Sequence, residues 1–570
     1  MIKRLELTLI GGFSGLLLWV FIDYLPDLVS TGWALHCAAI FATVFCFSVL
    51  ALVGPERPER ALLPSAAIAV VVTLLTWMGG LRFTTSQEFF SAGHTVIALI
   101  AIVVISIPFA ASNLQEKGGW RNYQRLFDGY WGVFIRFLAG SVFVGLIFLV
   151  LFLSDELLTL VGVRFIGDLL SKEIVVFTLW GAVFGLGIAT VYELRDYVSP
   201  VLVHRLLRML VPLVLVVVVI FLGALPLRGL TGLFGKLSTA TVLMSVAFGA
   251  ITLITTLIDR DDENAATTRF MVFSSRALAV LLPALVGLAV YAVWLRVAAY
   301  GWTPSRVIAA YAALFLSAYA LYYAYAALKG GDWQQKLRQG NLYMALATCA
   351  GAVLWLTPLI NAERLSAKSQ LARFEAGETE VKDLPLYELA HDWGKPGEAT
   401  LAALETSDND ALKEKIADAR KAQSIWSFRR EQDTVSLQNR REALAPRIAM
   451  RPQTAALSDI LDGMPDYALR SFENNCPKAT EPSCVILMLP ENAMSQTRAV
   501  LISQKSRYPM NLVFQTDKYV IQGSVRFRKG TEVVGLPNDL FEKAMAGEFT
   551  VKPVTQEFLS FGDVLLVPNN

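Results

Sequence analysis

Eleven long apolar runs dominate this sequence and restrict its fold before any motif is read. They lie at 5–22, 32–53, 62–81, 95–111, 130–153, 174–191, 209–225, 237–258, 277–295, 307–328 and 342–360. A helix needs about 20 apolar residues to cross a hydrocarbon layer about 30 Å thick. The runs are continuous rather than alternating, and hydrocarbon leaves open backbone without partners, so helices are the expected spanning form. The expected fold class is a polytopic α-helical membrane protein with about 11 transmembrane helices, followed by a C-terminal soluble α+β domain.

Composition agrees. Only 17% of the residues are charged, and mean hydropathy is +0.50, against about 25% charged in a typical soluble protein. A disordered chain and a plain soluble enzyme are excluded. Residues 1–360 hold 24 Lys+Arg and 19 Asp+Glu, whereas 361–570 hold 26 and 29. Neither part carries a strong single-sign field, so nucleic acid is not an expected partner. The expected domains are a bundle at 1–360 and an extracytoplasmic, periplasmic domain at 361–570, long enough for a core of its own.

Orientation follows from Lys and Arg, which accumulate in short cytoplasmic loops. With Lys3 and Arg4 placed inside, the N-terminus and loops 54–61, 112–129, 192–208, 259–276 and 329–341 carry 16 such residues. The opposite loops, 23–31, 82–94, 154–173, 226–236 and 296–306, carry 7. An odd number of crossings then puts 361–570 outside a bacterial-type inner membrane. The basic start and apolar run at the N-terminus resemble a signal peptide. No small-x-small cleavage site follows, so an uncleaved first span is expected.

The cysteines bear on the same question. Cys37, Cys46 and Cys349 fall inside apolar runs, where a small apolar thiol is unremarkable in its chemistry. Cys476 and Cys484 close a short Pro-containing segment of the exported part and read as a disulfide; two separate thiols are the alternative. Zinc would need two more ligands. The soluble part has one histidine, His391, so no metal is expected.

Within the soluble part, 361–450 reads as helical. Ser407 and Asp408 offer N-caps for a helix over 410–428. Short β-branched runs follow at 484–489, 497–503, 511–515, 519–527, 531–534 and 563–567. A helix at 538–546 ends at Gly547. A small, mostly antiparallel sheet is expected. In the membrane part, 157–170 is too short to span and suits an interfacial helix. Gly11 with Gly15, and Gly181 with Gly185, recur at a spacing of four that lets helices approach closely. They are assigned to internal packing. No internal repeat is visible.

Chemistry is sparse. There is no Walker loop, dinucleotide glycine pattern, His-Glu-x-x-His or nucleophile elbow, and no cofactor is expected. His36, His94, His204 and His391 share no spacing and read as packed or solvated. Arg136 lies within snorkelling reach of the inner face, and Glu193, Arg195 and Asp196 cluster at an inner end. Tyr322, Tyr323 and Tyr325 suit an aromatic belt. Asp23 and Asp27 lie together just outside the first span. Polytopic glycosyltransferases that use lipid-linked donors place a base or metal-holding carboxylate in such a loop. An interfacial acidic cap is the plainer reading.

The most distinctive stretch is Arg296-Val-Ala-Ala-Tyr-Gly-Trp-Thr-Pro-Ser-Arg306, between two long apolar runs. Its pattern Arg-x-x-x-Tyr-Gly-x-Thr-x-x-Arg resembles the uncharacterised bacterial membrane family catalogued as domain of unknown function 4153, over about residues 1–360. That resemblance implies architecture and no particular chemistry. Physically, Gly301 suits a tight turn, and Thr303 and Pro304 suit the start of the next helix. Arg296 and Arg306, with Tyr300, Gly301, Trp302 and Thr303, form a candidate site for an anionic or lipid-linked ligand. A structural turn with interfacial arginines, or a bridge to the soluble part, would use the same residues.

The favoured reading is non-enzymatic. It is an envelope-associated inner-membrane protein in the lipid bilayer, whose periplasmic domain engages a protein partner or envelope component. The alternatives are an enzyme or flippase acting on a lipid-linked anionic substrate through Asp23 or Asp27 with Arg296 and Arg306, and a small-solute transporter.

Overall fold

The structure, a computed structural model, describes residues 2–28, 32–53, 58–193, 200–228, 239–451, 457–477, 481–489, 498–505, 510–515, 518–524, 528–529, 532–533, 539–550, 559–561 and 564–566. By contacts the chain divides into two compact units, Met1–Lys421 and Ala422–Asn570. The helices between 362 and 421 pack in the first unit, beyond the 360/361 position considered from hydropathy.

The first unit is built of long helices: α1 (Ile2–Trp19), α2 (Trp33–Val53), α3 (Pro58–Gly80), α4 (His94–Gln115), α5 (Tyr123–Leu160) and α6 (Glu173–Glu193). They continue with α7 (Leu210–Arg228), α8 (Thr239–Ile258), α9 (Arg269–Tyr300), α10 (Pro304–Lys329) and α11 (Trp333–Leu356). Among the described residues, ten helices are long and apolar enough to cross a membrane. The chain is a multi-pass membrane protein. The expected count of 11 differs because α11 is not among those ten. It is set back from the apolar run at 342–360, and Gln334, Gln335, Lys336 and Arg338 occupy its first turns.

Two apolar cores organise the unit. One gathers residues of α1 to α6 with Trp355 and Leu356. The other gathers α7 to α10 with Trp333 and Leu337. Helix α11 therefore joins them, its start in one core and its end in the other. The glycine pairs pack as expected, between α1 and α6. A Cβ on Gly11 or Gly15 would run into the backbone of α6, and one on Gly181 or Gly185 into the backbone of α1. Such contact lets dispersion act over whole backbones where lipid offers no hydrophobic drive. Buried hydroxyls bond back along their own helices, as Thr76 Oγ1 donates to the Val72 carbonyl at 2.9 Å.

Helix α5 runs on for 38 residues, well beyond the run at 130–153. Asn122 starts it by accepting from Arg125 N at 3.4 Å. The segment 157–170 is split: α5 continues to Leu160, and a six-residue helix follows at Phe165–Leu170. Leu157, Leu160, Val161 and Phe165 are exposed.

Four helices follow α11 within the first unit: α12 (Ala362–Glu375), α13 (Leu386–His391), α14 (Gly394–Glu405) and α15 (Asp410–Lys421). For α15 the oxygen accepting from Leu412 N is that of Asn409, at 3.1 Å, not Ser407 or Asp408. Ser407 Oγ instead accepts from Asn409 N.

The second unit begins with α16 (Ile425–Leu444). A five-stranded sheet of order β1 (Ile448–Arg451), β2 (Cys484–Leu489), β3 (Arg498–Ser503), β4 (Met510–Gln515) and β5 (Lys518–Ser524) follows. The pair β1–β2 is parallel and the others are antiparallel. Strand β1 falls in a stretch that reads as helical. Ile486, Leu501 and Leu512 pack with α17 (Leu457–Asp462) and α18 (Asp466–Asn475) on one face. Val485 and Ile502 pack with α19 (Leu540–Ala546) on the other, as the two-residue alternation of a strand requires. Gly547, at φ +77°, ends α19 as expected. Cys476 and Cys484 lie at disulfide distance, 2.04 Å between sulfurs. Residues 534–538, and 525–527, 531, 563 and 567 of the expected strands, lie outside the described residues, as do 194–199 with Arg195 and Asp196.

Candidate functional site

At the end of the bundle where α3 stops and α4 starts, four side chains from distant parts of the chain meet. Arg82 follows α3 by two residues, His94 opens α4, Trp355 lies in the last turn of α11 and Glu363 in the first turn of α12. Glu363 Oε2 is 3.5 Å from Arg82 Nη1, and Oε1 is 3.2 Å from His94 Nε2. The Arg82 and Glu363 side chains are 3% and 1% exposed. Neither carboxylate oxygen receives a hydrogen bond of ordinary geometry among the described residues, so Glu363 meets Arg82 as an ion pair and His94 as a close polar contact.

Trp355 Nε1 donates to His94 Nδ1 at 3.2 Å. An indole nitrogen can only donate, which leaves the lone pair on Nδ1 and puts the imidazole proton on Nε2, toward the carboxylate. The tautomer is assigned from this network. Burial alone pushes the Glu363 carboxyl up; the His94 ring and the Arg82 guanidinium more than offset it and hold the carboxyl below its ordinary value. Burial likewise draws Arg82 down, and Glu363 opposes that.

Arg82 also gathers chain ends. Its Nη1 donates to the Ile360 carbonyl at 2.9 Å, Nη2 to Trp355 at 3.0 Å and Nε to Gly79 at 3.3 Å. These include late carbonyls of α3 and α11, which lack partners within their helices. The Arg82 carbonyl accepts from Lys395 N at 3.0 Å. Gly394 makes that approach possible, since at φ +54° a Cβ would lie 2.7 Å from the same oxygen.

The distinctive turn is held by the same α12. Gln370 Nε2 donates to the carbonyls of Tyr300 and Trp302 at 3.0 and 2.9 Å, and Ser369 Oγ accepts from Trp302 N at 3.1 Å. Arg373 donates to Ala298 and Ala299. Gly301 takes φ +70°, with Arg373 Cδ 2.6 Å from where its Cβ would be. Arg306 Nη1 donates to Gly301 and Tyr300 carbonyls at 2.6 and 3.1 Å, its guanidinium lying over the Tyr300 ring. Pro304 opens α10 as expected. Thr303 stands at the cap position, but its hydroxyl meets Ser305 Oγ at 3.0 Å and does not cap. Arg296 lies in the last turns of α9. Asp23 accepts from Trp19 Nε1 of the preceding turn at 2.9 Å. Asp27 is in the helix Leu25–Leu28, and its side chain lies outside the described ones.

The opposite end carries a second ion cluster. Asp259, at φ +51°, pairs with Arg208 and lies 3.6 Å from His204 Nδ1. Burial raises the Asp259 carboxyl, and His204, the Arg260 N–H and Arg208 bring it below its ordinary value. Arg338 of α11 donates to the Ile258 and Asp259 carbonyls at 2.6 and 3.1 Å and pairs with Asp262 at 2.7 Å. Among the described residues no three His, Cys, Asp or Glu side chains assemble as metal ligands.

Sequence reasoning missed Arg82, His94, Trp355 and Glu363. Their one signal is that Arg82 is the lone Lys or Arg of the loop 82–94.

A bundle of ten strongly apolar helices with a buried ion cluster at each end defines a polytopic helical membrane protein. The family model for a domain of unknown function (DUF4153) matches residues 13–389, and the chain belongs to that family. The match runs past 360 and takes in α12, so Arg82, His94, Glu363 and the turn at 296–306 all lie within it. No curated protein and no solved structure matches the chain.

Proposed function

We propose that this is an inner-membrane protein of the bacterial envelope whose extracytoplasmic part is a platform for a protein partner or envelope component, its first helix, α12, firmly tied to the bundle. The observation that carries the reading is the seating of α12. A buried Arg82–Glu363–His94 cluster and five side-chain bonds to the 298–302 backbone fix the first helix beyond the spans. Ordering a partner surface in advance lowers the entropy lost on binding.

In this reading α11 is the eleventh crossing. Its Arg338 touches the end of α8, and its Trp355 touches the start of α4, so it reaches both ends of the bundle. The N-terminus is cytoplasmic and everything after α11 is periplasmic, in line with the Lys and Arg bias and the Cys476–Cys484 pair.

Native mass spectrometry of the full chain, extracted in its own lipid patch, tests the function. A stoichiometric protein partner, lost on Glu363→Ala, is expected. A chain that travels alone, with a retained polyprenyl lipid lost on Arg306→Gln, would replace this reading with the lipid-linked substrate.

A further inference from the structure

The segment between α4 and α5 is built more carefully than a connection needs. Gly118 sits at φ +82°, and its N–H donates to Asn113 Oδ1 at 3.1 Å. Ser112 Oγ donates to the Gly119 carbonyl at 2.7 Å, and a Cβ on Gly119 would overlap the Ser112 carbonyl. The turn is thereby pinned to the end of α4. It presents Trp120 as one wall of an open groove of about 680 Å³.

The other walls are Pro64 and Ala67 of α3, Phe109 and Asn113 of α4, and Leu346 of α11. Except for Asn113 and the indole nitrogen, these side chains are apolar. The groove runs between helices of the spanning bundle and reaches the level of their ends, where Trp favours the boundary between hydrocarbon and water.

The rim has one sign. The Arg121 guanidinium lies over the Trp120 ring, 4.8 Å from its centroid. Lys117 and Arg121 are both exposed, and among the described residues no carboxylate pairs with either. Glu116, the nearby acid, is taken up by Arg125 at 2.6 Å. An apolar slot under two uncommitted cations, closed by an aromatic at headgroup level, matches a chain with a phosphate at one end.

We propose that this groove binds an anionic glycerophospholipid from the surrounding leaflet, one acyl chain along Pro64, Ala67, Phe109 and Leu346 and the phosphate at Lys117 and Arg121. The volume is within the range of specific small-ligand sites, about 300–1,000 Å³. Basic pockets between spans are a recognised setting for anionic headgroups. The pinned turn makes the wall available before the lipid arrives. In the orientation proposed above, this is the cytoplasmic leaflet.

The test is native mass spectrometry of the full chain in nanodiscs of equal phosphatidylglycerol and phosphatidylcholine. Each cation at an anionic surface is worth about fivefold. The wild type should retain phosphatidylglycerol over phosphatidylcholine by fivefold or more, and Lys117→Gln with Arg121→Gln should bring the ratio to that of the nanodisc. Both positions are exposed, so the fold is kept. Ala67→Trp, also exposed, fills the slot and should abolish the retained lipid. Equal retention of the two lipids by the wild type overturns the proposal. So does undiminished, selective retention by Ala67→Trp, which would place the lipid on the cations without the groove. Inorganic phosphate that strips the lipid at millimolar concentration would mark the site as one for free phosphate and also overturn it.

Discussion

Replacing Glu363 by Ala should release α12 from the bundle. The substitution strands the Arg82 guanidinium, whose side chain is 3% exposed, with only the carbonyls of Gly79, Trp355 and Ile360 for acceptors. Removing one member of a buried ion pair costs about 3–5 kcal/mol, because the other charge stays buried without compensation. At about 1.4 kcal/mol per tenfold, local opening of α12 becomes roughly 150- to 5,000-fold more populated. Hydrogen–deuterium exchange of the full chain in nanodiscs reads this directly, since exchange tracks local opening. Amides of 363–375 should exchange faster by that factor, with α1 as an unchanged internal reference. Arg82→Met added to Glu363→Ala should recover part of the loss, because no unpaired charge then remains. An acceleration of less than about tenfold in Glu363→Ala would refute the assignment of this cluster as the fastening of α12.

Acid should act on the same contact. The Glu363 carboxyl is held below its ordinary value, so its contribution is complete above the unfolded value near about 4.3 and is lost as pH falls through the lower folded one. Exchange at α12 should therefore rise below about pH 4 in the wild type, a step that Glu363→Gln lacks. Gly181→Ala should force α1 and α6 apart and cost about 1–3 kcal/mol or more. Gly12→Ala places its Cβ 3.5 Å from that of Ala182 and should be neutral; scanning fluorimetry in detergent compares the two. Arg338→Met leaves the Ile258 and Asp259 carbonyls without their donor and should cost about 1–3 kcal/mol. Arg338→Lys should not restore it, since a single ammonium cannot reproduce the planar fork that spans them; the same melting assay measures both.

Most of the membrane architecture is legible because a spanning helix must be apolar along most of its length, and that requirement writes itself into whole runs such as 32–53 or 239–258. The limits of a helix are not so constrained. Helix α5 continues to 38 residues because nothing in 123–129 or 154–160 breaks it, and hydropathy stops reading where lipid stops. Pro304 and Gly547 are legible because each satisfies a local backbone demand. Thr303 misleads because a hydroxyl has a competing neighbour in Ser305. Strand β1 is hidden for a different reason. Four residues, Ile448–Arg451, follow a long helix and pair with β2, which lies beyond two further helices. The Arg82–Glu363–His94 cluster is the extreme case. Glu363 lies 269 residues from His94 and 281 from Arg82, and no spacing rule connects residues brought together only when the ends of α3 and α11 and the starts of α4 and α12 meet at one level. The turn at 296–306 is legible as a motif, yet its partners on α12 are not, because Ser369, Gln370 and Arg373 contribute hydrogen bonds to backbone, which leaves no pattern in the receiving sequence.

The glycine contact between α1 and α6 has a consequence for how the protein is made. Gly181 leaves the ribosome 170 residues after Gly11. At about 5–20 residues per second, that is a delay of roughly 8–35 seconds. Through that interval α1 is already threaded into the membrane with a flat, side-chain-free strip along one flank and nothing yet synthesised to fill it. Helices α2 to α5 emerge first, each able to lean on that strip in a wrong arrangement. The order of synthesis thus makes α6 the late closing element of the N-terminal half. A nascent chain halted before Gly181 would leave the first helix without its mate and open to capture by whatever insertion factor or lipid meets it first.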